Sequence, residues 1–249
     1  MKIAVCIKRV ADMEMRFRIA ADGASVDEAG AKFDMGDFDG YALEAALQIT
    51  EKQGGDVTVV SLGPDAVHET LRKALSMGAA RAVHLKADRV PADGLAVARA
   101  LAAELKDGGF ELILFGKIAL DSANQVVGPM TAELLDLPCV TAASKLDVAD
   151  GKGTARRELE GAFEIMEFPL PAIVTIDEGV ARPRYPSLKG IMAAKKKPLD
   201  TRPAQLGDSR VTVTAMRLPP ERGAGRIVGE GAAAVPELVR LLQTEAKVL

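Results

Sequence analysis

Strand-like and helix-like segments alternate through the first 140 residues of this 249-residue chain. Short runs rich in β-branched residues are separated by segments in which apolar residues recur at helical spacing, as at Leu43, Ala46 and Leu47. Alternation of this kind is typical of βαβ units around a parallel sheet. We therefore expect an α/β fold with a doubly wound, mainly parallel sheet. The predicted strands of this part span residues 2–8, 56–62, 81–86 and 111–115.

The pattern changes after residue 140, where strand-like runs are broken by turns. A Gly151-Lys152-Gly153 turn between two such runs predicts a β-hairpin. The next segment contains several prolines and predicts an extended arm, which is too long and too apolar for a loop without a function. Residues 235–248 predict a terminal amphipathic helix. We expect one α/β domain formed by residues 1–180 with 207–230, a partner-docking arm at 181–206, and a separate C-terminal helix at 231–249.

Composition and charge exclude several classes of protein. The chain has nine aromatic residues, no Trp and a formal net charge of −3. It therefore lacks both the stacking side chains and the basic field that nucleic-acid binding needs.

Cys6 and Cys139 lie in apolar strand-like runs and are expected to be reduced core thiols. No apolar run has the length of a membrane span and no signal peptide is seen, so we expect no membrane insertion and a location in the cytoplasm or an equivalent matrix.

Catalytic and metal-binding motifs are scarce in the sequence. The first strand runs directly into Lys8, without the glycine fingerprint of a Rossmann dinucleotide site. His68 in a helix turn and His84 in a strand show no paired metal spacing, and there is neither a serine nucleophile elbow nor an SGGxDS loop. We predict structural roles for both histidines, no metal and no catalytic residue.

The best candidate anion site follows the strand at 111–115. Gly116 and Lys117 precede a polar stretch, and a helical pattern comes next. The carboxyl ends of parallel strands form a crevice, where a helix N-terminus presents free amides to a phosphate. Pro129 predicts that the regular helix begins there, which leaves residues 122–128 as a loop of donors. Ordinary capping of the helix by Asp121 or Ser122 is the alternative.

Four segments carry a resemblance to a known family. The chain opens with IAVCIKRV; residues 61–85 read SLGPDAVHETLRKALSMGAARAVHL, and residues 116–135 read GKIALDSANQVVGPMTAELL. Residues 157–200 read RELEGAFEIMEFPLPAIVTIDEGVARPRYPSLKGIMAAKKKPLD. Taken together, these motifs closely resemble those of electron transfer flavoprotein β subunits, and the resemblance covers nearly the whole chain.

The resemblance implies an obligate heterodimer with a larger α subunit, which holds most of the FAD site. The β subunit would then have a fold of the adenine-nucleotide-binding type, hold AMP as a structural element, and pack its C-terminal helix on the partner. The implied AMP pocket consists of Cys6, Gly36, Asp37, Phe38, Asp39, Leu62, Gly116, Lys117, Asp121, Ser122, Ala123, Asn124, Gln125, Val126 and Val127.

Two further positions are implied to lie near the flavin. Phe38 matches an aromatic residue beside the dimethylbenzene edge of the flavin, where an apolar ring would exclude water and tune the redox potential. Met13 stands where some relatives have Tyr, and its thioether is only a partial substitute. The segment Gly36-Asp37-Phe38-Asp39 departs from the Asn-Pro-Phe form common in the family.

The resemblance also implies a docking site and a role as an electron carrier rather than an enzyme. Leu188 aligns with a leucine that inserts into acyl-CoA dehydrogenases, flanked by Arg184, Tyr185 and Ile191, and Glu158 matches an acidic position facing the mobile flavin domain. Such a subunit would accept electrons from flavoprotein dehydrogenases and pass them to a quinone oxidoreductase or another acceptor.

Three alternatives stay open at this point. A bifurcating form would hold a second FAD in place of AMP, although its relatives have DGDTAQVG-like residues where this chain has DSANQVVG. A stand-alone ATP- or AMP-binding enzyme of the same fold would need a catalytic base. A stress-type nucleotide-binding protein would form homodimers.

Overall fold

The structure is a computed structural model that describes residues 1–221 and 223–249. It divides the chain into two compact units, Met1–Ala215 and Met216–Leu249. The first unit contains eleven strands and five α-helices. The elements are β1 (Lys2–Cys6), β2 (Arg9–Ala11), β3 (Phe33–Met35), α1 (Asp37–Gln53), β4 (Asp56–Gly63), α2 (Val67–Met77), β5 (Arg81–Lys86), α3 (Gly94–Leu105), β6 (Leu112–Gly116), α4 (Val127–Leu135), β7 (Cys139–Ala149), β8 (Lys152–Leu159), β9 (Ala162–Pro169), β10 (Ala172–Ile176), α5 (Leu188–Ala194) and β11 (Leu199–Pro203).

A nine-stranded sheet with the order β11-β5-β4-β1-β6-β10-β7-β8-β9 forms the centre of the first unit. The seven strands from β11 to β7 are parallel, and β8 and β9 continue the sheet antiparallel. The chain winds outward from β1 to β4 and β5, and then returns to the other side of β1 at β6. The expected doubly wound, mainly parallel sheet is confirmed, with its switch point between β1 and β6.

Helices cover both faces of the sheet. On one face Val5 and Leu114 pack with Leu43 of α1 and Leu71 of α2. On the opposite face Ala4 and Ile113 pack in a second cluster that includes Leu101 of α3 and Ala132 of α4. Neighbouring strand residues therefore point into different cores, which is why the parallel strands are apolar at nearly every position.

The predicted hairpin is present, but its turn lies one residue earlier than expected. Ala149 pairs with Lys152, so the loop consists of Asp150 and Gly151, with φ angles of 51° and 75°. Two consecutive left-handed residues favour the twist of a tight hairpin, and Asp-Gly is the preferred pair. Lys152 and Gly153 belong to β8.

The segment expected to be an extended arm holds a helix and an edge strand. Arg72 of α2 donates to the carbonyls of Ala194 and Lys197 at 2.6 and 2.8 Å, and Lys197 donates to the carbonyls of Leu75 and Ala79 at 2.8 and 2.6 Å. These bonds hold the end of α5 against the end of α2. The following strand β11 then pairs in parallel with β5. The predicted domain boundaries, and the docking role of this segment, stay predictions.

The second unit has a short helical region at its end. A 3₁₀ turn at Ala232–Ala234 leads into α6 (Val235–Leu241), and a π-helical turn covers Leu242–Ala246. The predicted terminal helix is therefore confirmed in place, with regular α-helix over its first half only. Among the described residues, no helix is long and apolar enough to cross a membrane.

Candidate functional site

A buried carboxylate lies at the switch point of the sheet. Asp39, in the first turn of α1, accepts a hydrogen bond of 2.7 Å from the backbone N–H of Lys8 and one of 3.1 Å from that of Gly116. It therefore ties together the chain at the carboxyl ends of β1 and β6. Burial raises its pKa to about 7, although the two amide hydrogen bonds and the Lys8 charge act in the opposite direction.

Glycine at position 116 allows this close approach. A Cβ atom there would lie 2.5 Å from Oδ1 and 2.7 Å from the backbone nitrogen of Asp39. Gly36, which precedes α1, is also close, since its Cβ would lie 3.0 Å from the other Asp39 oxygen. The sequence-predicted pocket residues Gly36, Asp39 and Gly116 thus come together in space.

The polar loop between β6 and α4 lies beside this carboxylate. Lys8 Nζ lies 2.7 Å from an Asp121 oxygen and 3.4 Å from Ser122 Oγ. Ala123 and Gln125 have φ angles of 52° and 55°, a left-handed conformation that non-glycine residues seldom adopt. Both residues are exposed, so the strained part of the loop faces solvent.

Helix α4 begins at Val127, two residues before the predicted start. Pro129 falls within the first turn, where its missing N–H has no intrahelical acceptor to lose. Among the described residues, no side chain caps this helix N-terminus. The alternative of capping by Asp121 or Ser122 is therefore wrong, because both side chains bond to Lys8 instead. The amides that open α4 are therefore those of Val127 and Gly128, and neither donates to a described side chain.

Cys6 and Leu62 lie at the ends of β1 and β4, where the resemblance places them. Both side chains are buried in the core. Burial, together with the nearby Asp39 charge, raises the pKa of the Cys6 thiol well above its ordinary value, so this cysteine is an unreactive core group. Ser61 donates to the carbonyl of Ile7 at 2.7 Å and fixes the two strand ends relative to each other.

Phe38 lies at the rim of the same crevice and is half-buried. Its ring is edge-on to that of Tyr41 at 5.8 Å between centroids, and Lys117 Nζ lies 5.1 Å from its centroid. Lys117 in turn forms an ion pair of 2.7 Å with Asp177. Asp37 is exposed on the same helix turn, and Met13, in the segment between β2 and β3, is exposed too.

The predicted docking residues lie in three different settings. Tyr185 and Leu188 are 95% and 84% exposed, and Ile191 is also exposed, so the start of α5 presents apolar side chains to solvent. Arg184 instead points inward, where its guanidinium binds both carboxylate oxygens of Glu44 at 2.7 and 2.8 Å and also pairs with Glu51. Glu158 lies elsewhere, on β8 beside Arg156 at 3.1 Å.

Sequence reasoning did not find Glu44 or Asp177 as parts of this region. Glu44 lies in the middle of α1 and resembles any solvated helix charge, although it falls among apolar positions on the buried face of that helix. That placement was the available signal, because a buried carboxylate needs a partner.

The fold is a doubly wound α/β domain with a polar loop at the switch point of its sheet. Residues 24–206 match the model of the electron transfer flavoprotein domain. Relatives of this chain include proteins named electron transfer flavoprotein subunit beta. The proteins from Bacillus subtilis and Bradyrhizobium diazoefficiens are 38% and 40% identical to this chain, and each match covers the full length of both proteins. The human protein is 37% identical over 90% of this chain and 91% of the human chain. The chain belongs to the electron transfer flavoprotein family, and its relatives are β subunits.

Proposed function

We propose that this chain is the AMP-binding β subunit of a heterodimeric electron carrier. Its partner would be the electron transfer flavoprotein α subunit, and the dimer would act in the cytoplasm. The name shared by its full-length relatives supports the subunit assignment. The observation that carries the nucleotide site is the loop before α4, with its two left-handed residues and a helix N-terminus that no described side chain caps.

The charges around this loop fit a nucleotide monophosphate. Lys8 neutralises Asp121, and Lys117 neutralises Asp177. Asp39 is largely protonated below pH 7 because burial raises its pKa to about 7. A phosphate would therefore meet amide dipoles rather than uncompensated negative charge. AMP bound here would bridge the ends of β1, β4 and β6 and serve as a structural element.

Phe38 and Met13 would form this chain's contribution to the flavin site. An FAD held mainly by the α subunit would supply the redox chemistry, taking up and releasing one or two electrons. The Phe38 ring packs edge-on against Tyr41, and the Lys117 ammonium lies over its face. The ring would exclude water from one edge of the flavin site. Among the described residues we assign no catalytic group, since the chain would carry electrons and shield the cofactor.

The exposed residues at the start of α5 would dock the electron donor. An apolar anchor such as Leu188, surrounded by polar residues, suits a transient complex with a flavoprotein dehydrogenase, such as an acyl-CoA dehydrogenase. Glu158 would face the mobile flavin domain of the partner. Electrons would leave to a quinone oxidoreductase or another acceptor.

Acid extraction of the purified complex tests the proposal. The chain is co-expressed with the larger subunit, and the released flavin and nucleotide are quantified. One FAD and one AMP per dimer are expected. Two flavins without AMP would instead identify the bifurcating form, and a stable flavin-free chain that turns over nucleotide or forms homodimers would overturn the proposal altogether.

A matched pair of variants locates the nucleotide. Ala123→Val places a β-branched residue at a φ of 52° in the loop, and Ala142→Val makes the same change at a φ of 53° in β7. Both strain the backbone similarly. AMP content should fall only in the first variant, and equal AMP contents would place the nucleotide elsewhere.

A further inference from the structure

The only two histidines of the sequence lie side by side near the edge of the sheet. His84 is fully buried in β5, and His68 lies on α2 and is half-buried. Their rings are nearly perpendicular, and His68 Nε2 is 3.0 Å from His84 Nδ1. They are sixteen positions apart on different elements, so their spacing in the sequence gave no sign of a pair.

The hydrogen bonds of His84 fix which of its nitrogens can bind a ligand. Its Nε2 lies 2.8 Å from the carbonyl oxygen of Gly63, which can only accept, so Nε2 carries the proton. The lone pair of Nδ1 therefore accepts a hydrogen bond from His68 Nε2, whose proton a cation would have to replace. A ring that donates its second N–H to a backbone carbonyl is the arrangement usual for metal-binding histidines.

A carboxylate completes the group. The ligand atoms of Asp65, His68 and His84 all lie within 4.8 Å of one another. A second oxygen is near, since Thr201 Oγ1 lies 3.2 Å from His68 Nε2. Two imidazole nitrogens and a carboxylate oxygen are thus close enough for small side-chain movements to bring them onto one cation, with a side open to water because Asp65 is exposed.

We propose that Asp65, His68 and His84 bind a late first-row divalent cation, with Zn²⁺ the best match. Imidazole and carboxylate are ligands that Zn²⁺ prefers. Zn–N bonds of about 2.0 Å at a tetrahedral angle separate two nitrogens by about 3.3 Å. The two histidines therefore need to move apart by only a few tenths of an ångström from their 3.0 Å separation. Water would fill the remaining position.

The surrounding charges set how tightly the site binds. Lys86 acts against the metal, because its ammonium lies 2.8 Å from an Asp65 oxygen. Lys86 is therefore a competitor that the cation must displace from the carboxylate.

The position of the site gives it a structural role. His84 pairs in register with Thr201 of β11, and His68 comes from the helix that packs against α5. A bound cation would join α2 to β5 beside the edge strand. It would thus stabilise the segment on which the exposed α5 residues are mounted, whether or not that segment docks a dehydrogenase.

Zinc binding to the purified complex tests this site. Equilibrium dialysis with Zn²⁺ alone measures affinity, and Co²⁺ serves as a spectroscopic probe because nitrogen ligands change its visible absorption. We expect His68-dependent binding of one Zn²⁺, and no comparable binding of Mg²⁺, which prefers oxygen ligands.

Four variants separate this site from other sites in the complex. His68→Gln and Asp65→Asn should each weaken Zn²⁺ binding by about tenfold or more. Lys86→Ala should tighten binding several-fold, and Asp88→Asn, at a nearby exposed position, should leave it unchanged. Circular dichroism confirms that each variant is folded. Unchanged zinc affinity in a folded His68→Gln protein, or the absence of any His68-dependent binding, would overturn the proposal.

Discussion

The Asp39 carboxylate and the Gly116 amide form a hydrogen bond of 3.1 Å that joins helix α1 to strand β6 across the switch point of the sheet. The same carboxylate also accepts a hydrogen bond from the amide of Lys8. The pairing of β1 with β6 ends at Cys6 and Phe115, and this one side chain links the two segments just beyond that point. The geometry of the proposed nucleotide pocket thus depends on one buried acid and on the absence of a side chain opposite it.

Gly116→Ala should destabilise the chain and lower its AMP content. The added Cβ would lie 2.5–2.7 Å from Asp39 and from the backbone of Phe38. Backbone atoms of a packed helix cannot move away without a substantial cost in free energy. We expect a loss of about 1–3 kcal/mol in the free energy of unfolding, measured with urea. Gly225→Ala is the control for a second glycine, since no atom lies within 4 Å of its added Cβ and its backbone is not in the left-handed region. Equal nucleotide contents in both variants would contradict the role of the close approach.

Asp39→Asn should change how stability depends on pH. The pKa of Asp39 is about 7 in the folded chain against an ordinary value of 3.8, so between these values the folded state retains a proton that the unfolded state has lost. The stabilisation from this group is therefore fully present below about pH 4 and is lost as the pH rises to about 7, by at most about 1.4 kcal/mol per unit.

The variant lacks this titration, so the wild-type advantage over Asp39→Asn should shrink from about pH 5 to about pH 7. Urea unfolding at both values measures it. Asp37→Asn, an exposed acid in the same helix turn, is the matched control and should show no such trend. A wild-type advantage that stays constant over this range would mean that Asp39 is already ionised in the folded chain.

The sequence predicts the central elements of this fold well and its outer segments poorly. Strands such as β5 have a distinct apolar run, and α2 has a clear apolar face, so local pattern and tertiary packing agree there. Helix α5 is only seven residues long, and β11 has three exposed positions out of five. Packing against α2 and pairing with β5, rather than any local pattern, decide their structure.

The site shows the same division. The loop after β6 is recognisable because topology alone places it at the carboxyl edge of the sheet. The role of Asp39 cannot be recognised in the sequence. An acid in the first turn of a helix is expected in any case, because it interacts favourably with the helix dipole. Only the folded chain brings the amides of Lys8 and Gly116 to its two oxygens.

Arg184→Ala should destabilise the chain by about 2 kcal/mol or more. The Glu44 side chain is 4% exposed and would lose its cationic partner, whereas Arg184 itself is 34% exposed, which reduces the cost below that of a fully buried pair. Arg184→Lys should recover only part of the loss, because lysine cannot bind both carboxylate oxygens in a fork. Arg182→Ala, at an exposed position two residues away, is the control, measured by urea unfolding.

The pH dependence of this pair runs opposite to that of Asp39. Burial alone would raise the pKa of Glu44, but the hydrogen bonds from Arg184 outweigh it and the net pKa is lowered. The stabilisation is thus present above the ordinary glutamate pKa of 4.5 and is lost as the pH falls through the lower folded value. Wild type and Arg184→Ala should therefore converge in acid, and a gap that persists there would contradict the ion pair as its cause.

Leu188→Ala should slow reduction of the complex by its dehydrogenase. The side chain is 84% exposed, so its truncation should leave folding, flavin content and AMP content unchanged. If it fills a pocket on the donor, the lost apolar contact should raise the half-saturating dehydrogenase concentration by up to about tenfold. Stopped-flow reduction over a range of dehydrogenase concentrations measures this value. Val211→Ala, another exposed aliphatic residue, should leave it unchanged, and the same concentration dependence in wild type and Leu188→Ala would exclude Leu188 as the anchor.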